Sequence, residues 1–470
     1  MRRVEPELRR SPSVFIVVLG AVISLLFTAI PASAITFTYS ADGSVAEPSS
    51  DACPTLKSAP EPFETWFNID DMQVRGYADP GNQKAWSFHE KTAQIICGAA
   101  QGATITIGMF FLRALGTMTD DGQLGDRPES DPEVIYKALE YVHNQRGVTI
   151  GIVLGSTGTK DQKADVLKRL KGIATVAWCR LGCFNLNPAK VNSGATNHEK
   201  FMTISNTIWA GDGKVHPIVY SSSGNWARSQ TRGYWQEESV VYDDDVLFQE
   251  TADRYTAMAV CASASDCKSD SKFPQSVKNA TSKQHNIWVD TIGKHYTEQD
   301  RGTSIAWAPA PRTMTNFYVA QFNNVDCTVD NQVRIAMFRL TDVMADKMVS
   351  ALKGLKSRGC DVKMVLSAPV ASYSVSKSLR KKLKSAKLWY ACARYPLHTK
   401  LILIGPSTSN GGRILFGTAN FSSAMVWNEE HTITLDARRA TSQYAEQIRR
   451  VYGEYMGGWY EIAKGSKRDC

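Results

Sequence analysis

"YPLHTKLILIG", Tyr395 to Gly405, places His398 and Lys400 at the head of an otherwise apolar run. Leu401 to Ile404 read as a buried strand. Strand side chains alternate between faces, so His398 and Lys400 point one way and Thr399 the other. An ammonium beside an imidazole disfavours protonation of the ring. A neutral imidazole is a nucleophile or a base, and the lysine can hold an anion. By itself the pair reads more readily as two polar residues capping a strand end in water, because two residues carry little information.

An internal repeat changes that weight. "ATITIGMFFL" (103–112) answers "VRIAMFRL" (333–340), each a strand by pattern. "DPEVIYKALEYVHNQRGVTIGIVLGS" (131–156) answers "DKMVSALKGLKSRGCDVKMVLSA" (346–368). Each of these is an amphipathic helix, an Arg-Gly stop and a buried strand. "ATVAWCR" (174–180) answers "LWYACAR" (388–394). A βαβ pattern run twice predicts an α/β fold with a mainly parallel, helix-covered sheet. The first copy also has its own HxK, "NHEKFMTISN", with His198 and Lys200. "SSSGNW" (221–226) answers "FGTANF" (416–421) and aligns Asn225 with Asn420. "YWQEESVVY" (234–242) answers "VWNEEHTIT" (426–434) and aligns Glu238 with Glu430. Two copies of His-x-Lys, a small-residue turn with Asn, and then Glu exceed what strand capping requires.

This doubled pattern resembles the phospholipase D superfamily. Its signature is HxK, four residues and Asp, then a Gly-Ser-x-Asn turn, once in each half. His, Lys and Asn match in both copies. Ser205 and Gly405 stand where the family has Asp, and Ser222-Ser223 and Gly417-Thr418 replace Gly-Ser. The resemblance implies two pseudo-symmetric α/β halves, each a mixed, mostly parallel sheet flanked by helices, with the active site at their interface. It places the first half at 35–242, a linker or insertion at 243–300 and the second half at 301–470. It also implies roles. His198 attacks phosphorus, and His398 serves as acid and base. Lys200, Lys400, Asn225 and Asn420 hold the non-bridging oxygens, while Glu238 and Glu430 each orient a histidine through its far nitrogen. That chemistry fits the residue types: cations and amide donors offset the charge that repels a nucleophile from a phosphodiester. The histidines supply the covalent bond and the proton. No cofactor and no metal is expected.

Residues 1–34 read as a secretory signal peptide. Arg2, Arg3, Arg9 and Arg10 precede the apolar run "VFIVVLGAVISLLFTAI" (14–30), and "PASA" closes it with cleavage expected near Ala34. The alternative is a membrane anchor, for which the run is short. Without this leader the formal charge of +8 falls to +6, because Glu5 and Glu7 leave with the four arginines. A mildly basic chain favours anionic partners but does not separate lipid from nucleic acid. All 10 cysteines lie beyond the leader, and an even count in an exported chain predicts disulfides, with Cys179/Cys183 and Cys261/Cys267 close enough to pair locally. A zinc site is the alternative, but no CxxC occurs.

Three further segments are notable. Residues 181–197 form a loop-like insertion leading into His198, and "GSTGTK" (155–160) reads as a βα loop. "SKSLRKKLKSAK" (376–387) is a basic helix, either a solvated face or a contact for an anionic surface. His431 follows Glu430 and is read as structural. The expected function is a secreted phospholipase D acting as a monomer. It would cleave glycerophospholipids such as phosphatidylcholine at a membrane surface to phosphatidic acid and head group, with possible transfer to alcohols. The alternatives are an exported nuclease, with nucleic acid as partner, and a non-catalytic binding protein on the same scaffold.

Overall fold

The computed structural model describes residues 63–67, 87–112, 133–155, 160–179, 182–184, 196–207, 216–227, 234–263, 301–308, 313–367, 375–406, 412–422 and 428–468. The expected leader and Cys267 lie outside the described residues.

The first half runs β1 (Phe63–Phe67), α1 (Ser87–Cys97), β2 (Thr104–Met109), α2 (Glu133–Arg146), β3 (Thr149–Leu154), α3 (Lys160–Leu170), β4 (Thr175–Trp178), β5 (Lys200–Thr207), β6 (His216–Ser222), β7 (Glu237–Tyr242) and α4 (Asp245–Ser263). The second runs β8 (Arg301–Ala308), α5 (Thr313–Asn323), β9 (Gln332–Met337), α6 (Asp342–Ser357), β10 (Asp361–Leu366), α7 (Lys377–Ser385), β11 (Trp389–Cys392), β12 (Lys400–Gly405), β13 (Arg413–Gly417), β14 (Glu430–Ala440) and α8 (Ser442–Ala463), then adds β15 (Lys467–Arg468). The two orders are the same, element for element. Strand order in space repeats as well: β1-β7-β6-β5-β2-β3-β4 in one sheet, and β8-β14-β13-β12-β9-β10-β11 with β15 beyond it in the other. The stretch expected to link the halves from 243 therefore begins with α4. This helix packs on β2 to β6 and stands where α8 stands in the second half.

The sheets are mixed, as expected, but they are not mostly parallel. β2, β3 and β4 pair in parallel, as do β9, β10 and β11. Every other pairing is antiparallel. The βαβ signal reports only the helix-connected strands. The hairpin-connected strands that follow each HxK need no crossover, so they run antiparallel.

The Arg-Gly stops do what their composition requires. Gly147 after α2 has φ +62° and Gly359 after α6 has φ +97°, the left-handed region that ends helices and suits glycine. The chain then turns straight into β3 and β10. Burial follows the period of 2 expected of strands covered on both faces. Met202, Ile204, Tyr220 and Val240 join α1 and α2 in one core. Phe201, Val219 and Val241, on the opposite face, join a second core that continues into Ile305, Trp307 and the whole second half. The halves thus share apolar packing beneath the line where the HxK strands begin.

Cys179 bonds to Cys183 as expected, and Cys327 bonds to Cys360 across the α5–β9 loop and the end of α6. Cys97, Cys261 and Cys392 are also disulfide-bonded. Among the described residues no helix is long and apolar enough to cross a membrane.

Candidate active site

Each HxK strand is held at its head by the opposite half. His198 N donates to Glu429 O at 2.9 Å, and Glu429 N donates to Thr196 O at 3.1 Å. Reciprocally, His398 N donates to Trp235 O at 2.8 Å, and Trp235 N donates to Pro396 O at 2.9 Å. These crossed bridges bring the two imidazoles to 6.5 Å between ring centroids. Both rings are largely buried, at 12% exposure for the His198 side chain and 6% for His398.

Aromatic rings flank the pair symmetrically. Phe110 lies 5.0 Å from the His198 ring and 5.4 Å from Lys200 Nζ. Phe338 lies 4.7 Å from the His398 ring and 5.4 Å from Lys400 Nζ. Tyr234 adds an edge contact to His398 at 5.8 Å. Sequence reasoning quoted Met109-Phe110 and Met337-Phe338 as a repeat but gave them no part in the site. Their position at the ends of β2 and β9, beside β5 and β12, was the available signal.

The symmetry breaks at the ring nitrogens. His198 Nδ1 meets Glu430 Oε2 at 2.8 Å, the contact expected of Glu430. At His398 the Lys400 ammonium instead lies against the ring, 2.8 Å from Nδ1 and 3.4 Å from Nε2. Glu238 is not at the site. It faces α1, where Thr92 Oγ1 donates to it at 2.8 Å and the Tyr220 hydroxyl also donates. The reason is register. Gly417 opposes Thr432 and Ser222 opposes Glu238, so Glu238 is the counterpart of Thr432, and the counterpart of Glu430 is Gln236. Gln236 is buried, and a Cβ at Gly224 would lie 1.6 Å from its Oε1, so the glycine makes room for this amide. Matching the two Glu-Glu pairs by identity hid this. Glu430 follows Asn420 by 10 residues and Gln236 follows Asn225 by 11, a spacing that singles out Gln236.

A second layer ties the site floor across the halves. Buried Glu199, between His198 and Lys200, meets His431 Nδ1 at 2.6 Å and Arg254 Nη2 at 3.2 Å. His431 Nε2 meets Ser221 Oγ at 2.8 Å. Arg254, on α4, stacks over Phe184 and Trp307. Removing one partner of such a buried ion pair costs on the order of 3–5 kcal/mol, because the other charge is left uncompensated. His431 is structural, as expected. In the mirror position Thr399 Oγ1 donates to Trp235 O at 3.1 Å, and Glu237 Oε1 accepts from Lys400 N at 3.2 Å. Glu429 is held by the disulfide loop, with Phe184 N donating to its Oε1 at 3.0 Å.

The remaining motif positions have local explanations. Ser223 Oγ accepts from Glu237 N and Thr418 Oγ1 from His431 N, both at 3.0 Å, so the two turns brace matching strands. Asn225 and Asn420 are buried at equivalent places, and neither carboxamide oxygen has a hydrogen-bond partner among the described residues. Ser205 Oγ accepts from Thr104 N at 2.9 Å. At Gly405 a Cβ would come within 2.8 Å of the Tyr452 hydroxyl, so an aspartate does not fit there.

Burial dominates the electrostatics. It pushes both imidazoles well below their ordinary range, and the charges of Lys200 and Lys400 add to the effect. It lowers Lys200 to about 7 and holds Lys400 well below its ordinary value, with Lys200 as the second cause. It raises Glu430 to about 8, against the pull of Lys200. Two cations this reluctant to stay charged favour an anion between them, which would restore their protons. Among the described residues no group of three or more His, Cys, Asp or Glu is placed to hold a metal.

The unequal placement of the two glutamates has a direct test. Glu430→Gln removes the acceptor at His198 Nδ1 and is expected to lower kcat by about 10²–10⁴-fold, with a small change in melting temperature. Glu238→Gln is expected to keep kcat within about 3-fold and lose about 1–3 kcal/mol of stability, because its buried hydroxyl partners are disturbed. Equal kcat losses would contradict the assignment.

The family model described as cardiolipin synthase, PLD-like domain, matches residues 327–452. No curated protein sequence matches the chain. Among solved structures, phosphatidylserine synthase from Haemophilus influenzae Rd KW20 aligns at 9% identity over 88% of this chain and 89% of its own, with a TM-score of 0.52. Yeast tyrosyl-DNA phosphodiesterase aligns at 11% identity over 76% of this chain and 89% of its own, with a TM-score of 0.43. Nuc from Salmonella typhimurium, a phospholipase D family member, aligns at 15% identity over 35% of this chain and 96% of its own, with a TM-score of 0.28. Residues 327–452 are thus similar to a cardiolipin synthase PLD-like domain, and the fold over most of the chain is that of the Haemophilus influenzae phosphatidylserine synthase.

Proposed function

We propose that this chain is an exported phospholipase D, cleaving the head group from glycerophospholipids through a phosphohistidine. The observation that carries the reading is the pair of buried imidazoles 6.5 Å apart, each beside its own lysine and each held by the other half. Two nitrogens at that separation can address opposite sides of one phosphorus. His198, oriented by Glu430, attacks and forms the N–P bond. His398 protonates the leaving alcohol and then takes a proton from water or an acceptor alcohol. Lys200, Lys400 and the amides of Asn225 and Asn420 hold the non-bridging oxygens.

The names of the matches support lipid over nucleic acid: one is a cardiolipin synthase domain and one a phosphatidylserine synthase. Disulfides favour an oxidising compartment and so support export, together with the expected leader.

Purified protein with EDTA should release choline from phosphatidylcholine vesicles and leave plasmid DNA intact. Cleaved DNA with intact lipid would favour the nuclease, and neither activity would favour the binding protein. The same assay carries a pH signature. His198 stays neutral down through its ordinary 6.5, so kcat/KM should remain level there. Lys200 loses its proton as pH rises through about 7, so kcat/KM should fall above that point. A profile still rising at pH 9 would contradict this electrostatic picture.

A further inference from the structure

The insertion that leads into His198 opens with a disulfide that only this half carries. Cys179 follows β4, and its N–H donates to Leu154 O at 2.8 Å. Ala393 stands at the matching place in the other half, donating to Leu366 O at 2.9 Å. Alanine has no thiol, so the Cys179–Cys183 bond has no counterpart there. Gly182, Cys183 and Phe184 are buried, so the loop packs inward. Phe184 N donates to Glu429 Oε1 at 3.0 Å, and the Cys183 N–H also favours the charged carboxylate. Gly182 fits because a Cβ there would lie 2.7 Å from Glu429 Oε1 and 3.0 Å from Oε2. Arg254 stacks over Phe184 at 4.5 Å and presents its charge to the same carboxylate. A buried carboxylate is costly unless donors of this kind meet it. Burial still pushes Glu429 up to about 7 against them.

Glu429 is also the residue that holds His198. Its carbonyl accepts from His198 N at 2.9 Å, and its N–H donates to Thr196 O at 3.1 Å. The next residue, Glu430, meets His198 Nδ1 at 2.8 Å. The links form a closed circuit from β4 through the disulfide loop and Glu429 to His198 at the head of β5. In the other half Trp235 takes the place of Glu429 and holds His398 through its backbone, with an indole instead of a carboxylate. On the phosphodiesterase reading above, we propose that the Cys179–Cys183 loop positions the nucleophile through Glu429, so that closing this disulfide completes the site of His198. Closure is an exchange with a disulfide-bearing oxidant. The two thiols give up two protons and two electrons as the S–S bond forms, and the oxidant's disulfide becomes two thiols. With the loop open, the amides that meet Glu429 lose their fixed direction, and the backbone at His198 loosens with them. Activity is thereby tied to an oxidising compartment.

General bracing is better served by the other bridge. Cys179 and Cys183 are 4 residues apart in sequence, and Cys327 and Cys360 are 33 apart. A disulfide restrains the unfolded chain more as the loop it closes lengthens. The long bridge is therefore the stronger brace. It lies where β10 begins, whereas the site lies where β9 and β10 end. The short bridge acts on local geometry beside His198, where a misplacement of about 1 Å costs about 10²-fold in rate.

The test compares two double variants, Cys179→Ser/Cys183→Ser and Cys327→Ser/Cys360→Ser, by melting temperature and by kcat/KM. The substrates are phosphatidylcholine and phosphatidyl-p-nitrophenol, whose phenolate leaves without a proton. Opening the short loop is expected to lower kcat/KM by about 10²-fold on both substrates, because attack by His198 is common to them. Opening the long bridge is expected to lower the melting temperature more and keep kcat/KM within about 3-fold. Near-native kcat/KM in the short-loop variant would overturn the proposal. So would equal losses of kcat/KM in the two double variants, which mark a merely structural bond. A loss confined to phosphatidylcholine would place the fault at the proton donor and overturn it as well. If the short-loop variant does not fold, Gly182→Ala decides. It keeps the disulfide but sets a Cβ against the Glu429 carboxylate, and is expected to lower kcat/KM at least about 10-fold on both substrates. Near-native kcat/KM in that variant would overturn the proposal while leaving the phosphodiesterase reading in place. Wild-type protein inactive on both substrates would overturn that reading, and the proposal with it.

Discussion

Everything at the site depends on a reciprocal pair of backbone bridges. Asn197 pairs with Glu429 and Leu397 with Trp235, so each histidine is positioned by a strand of the other half. Neither half holds a complete site. The N–H groups of His198 and His398, just before β5 and β12, donate to Glu429 O and Trp235 O of the other half. The shared core under Phe201 and Trp307 and the buried Arg254–Glu199–His431 chain make that meeting rigid. Preorganisation of this kind is what a charge-stabilising site needs, because donors that are already placed need not reorganise during the reaction.

On this symmetric frame the chemistry is asymmetric. Glu430 and Gln236 occupy matched positions, as do Glu199 and Thr399, and His431 and Glu237. One histidine thus sits among a carboxylate and its support, and the other beside a lysine. On the proposed reading, two imidazoles that act as nucleophile and proton donor need different surroundings, and the two histidines have them. Duplication accounts for the shared geometry, and divergence of a few buried side chains for the division of labour.

Much of this was legible in the sequence, in uneven ways. His198, Lys200, His398 and Lys400 stood out because polar residues at the head of apolar strands are costly, and finding the pattern twice made coincidence implausible. Arg-Gly at 146–147 and 358–359 marked helix ends because glycine accepts positive φ. Glu238 was misplaced because residue identity aligned Glu-Glu with Glu-Glu, whereas strand register follows the hydrogen-bond ladder, and a shift of two keeps the same face while changing every partner. The antiparallel share of each sheet was hidden because β6, β7, β13 and β14 carry the motif residues and were read as motifs rather than as strands. Phe110 and Phe338 are apolar and continue apolar strands, so nothing in their composition separates a site wall from a core.

The central claim is that two imidazoles divide one displacement, with His198 bonded to phosphorus. It is tested most directly by trapping the intermediate. His398→Asn protein, mixed with an activated phosphodiester and quenched during turnover, should carry an acid-labile phosphoryl adduct on the peptide containing "NHEK", located by mass spectrometry. An adduct found only on His398 in His198→Asn protein, or no adduct in either variant, would contradict the account.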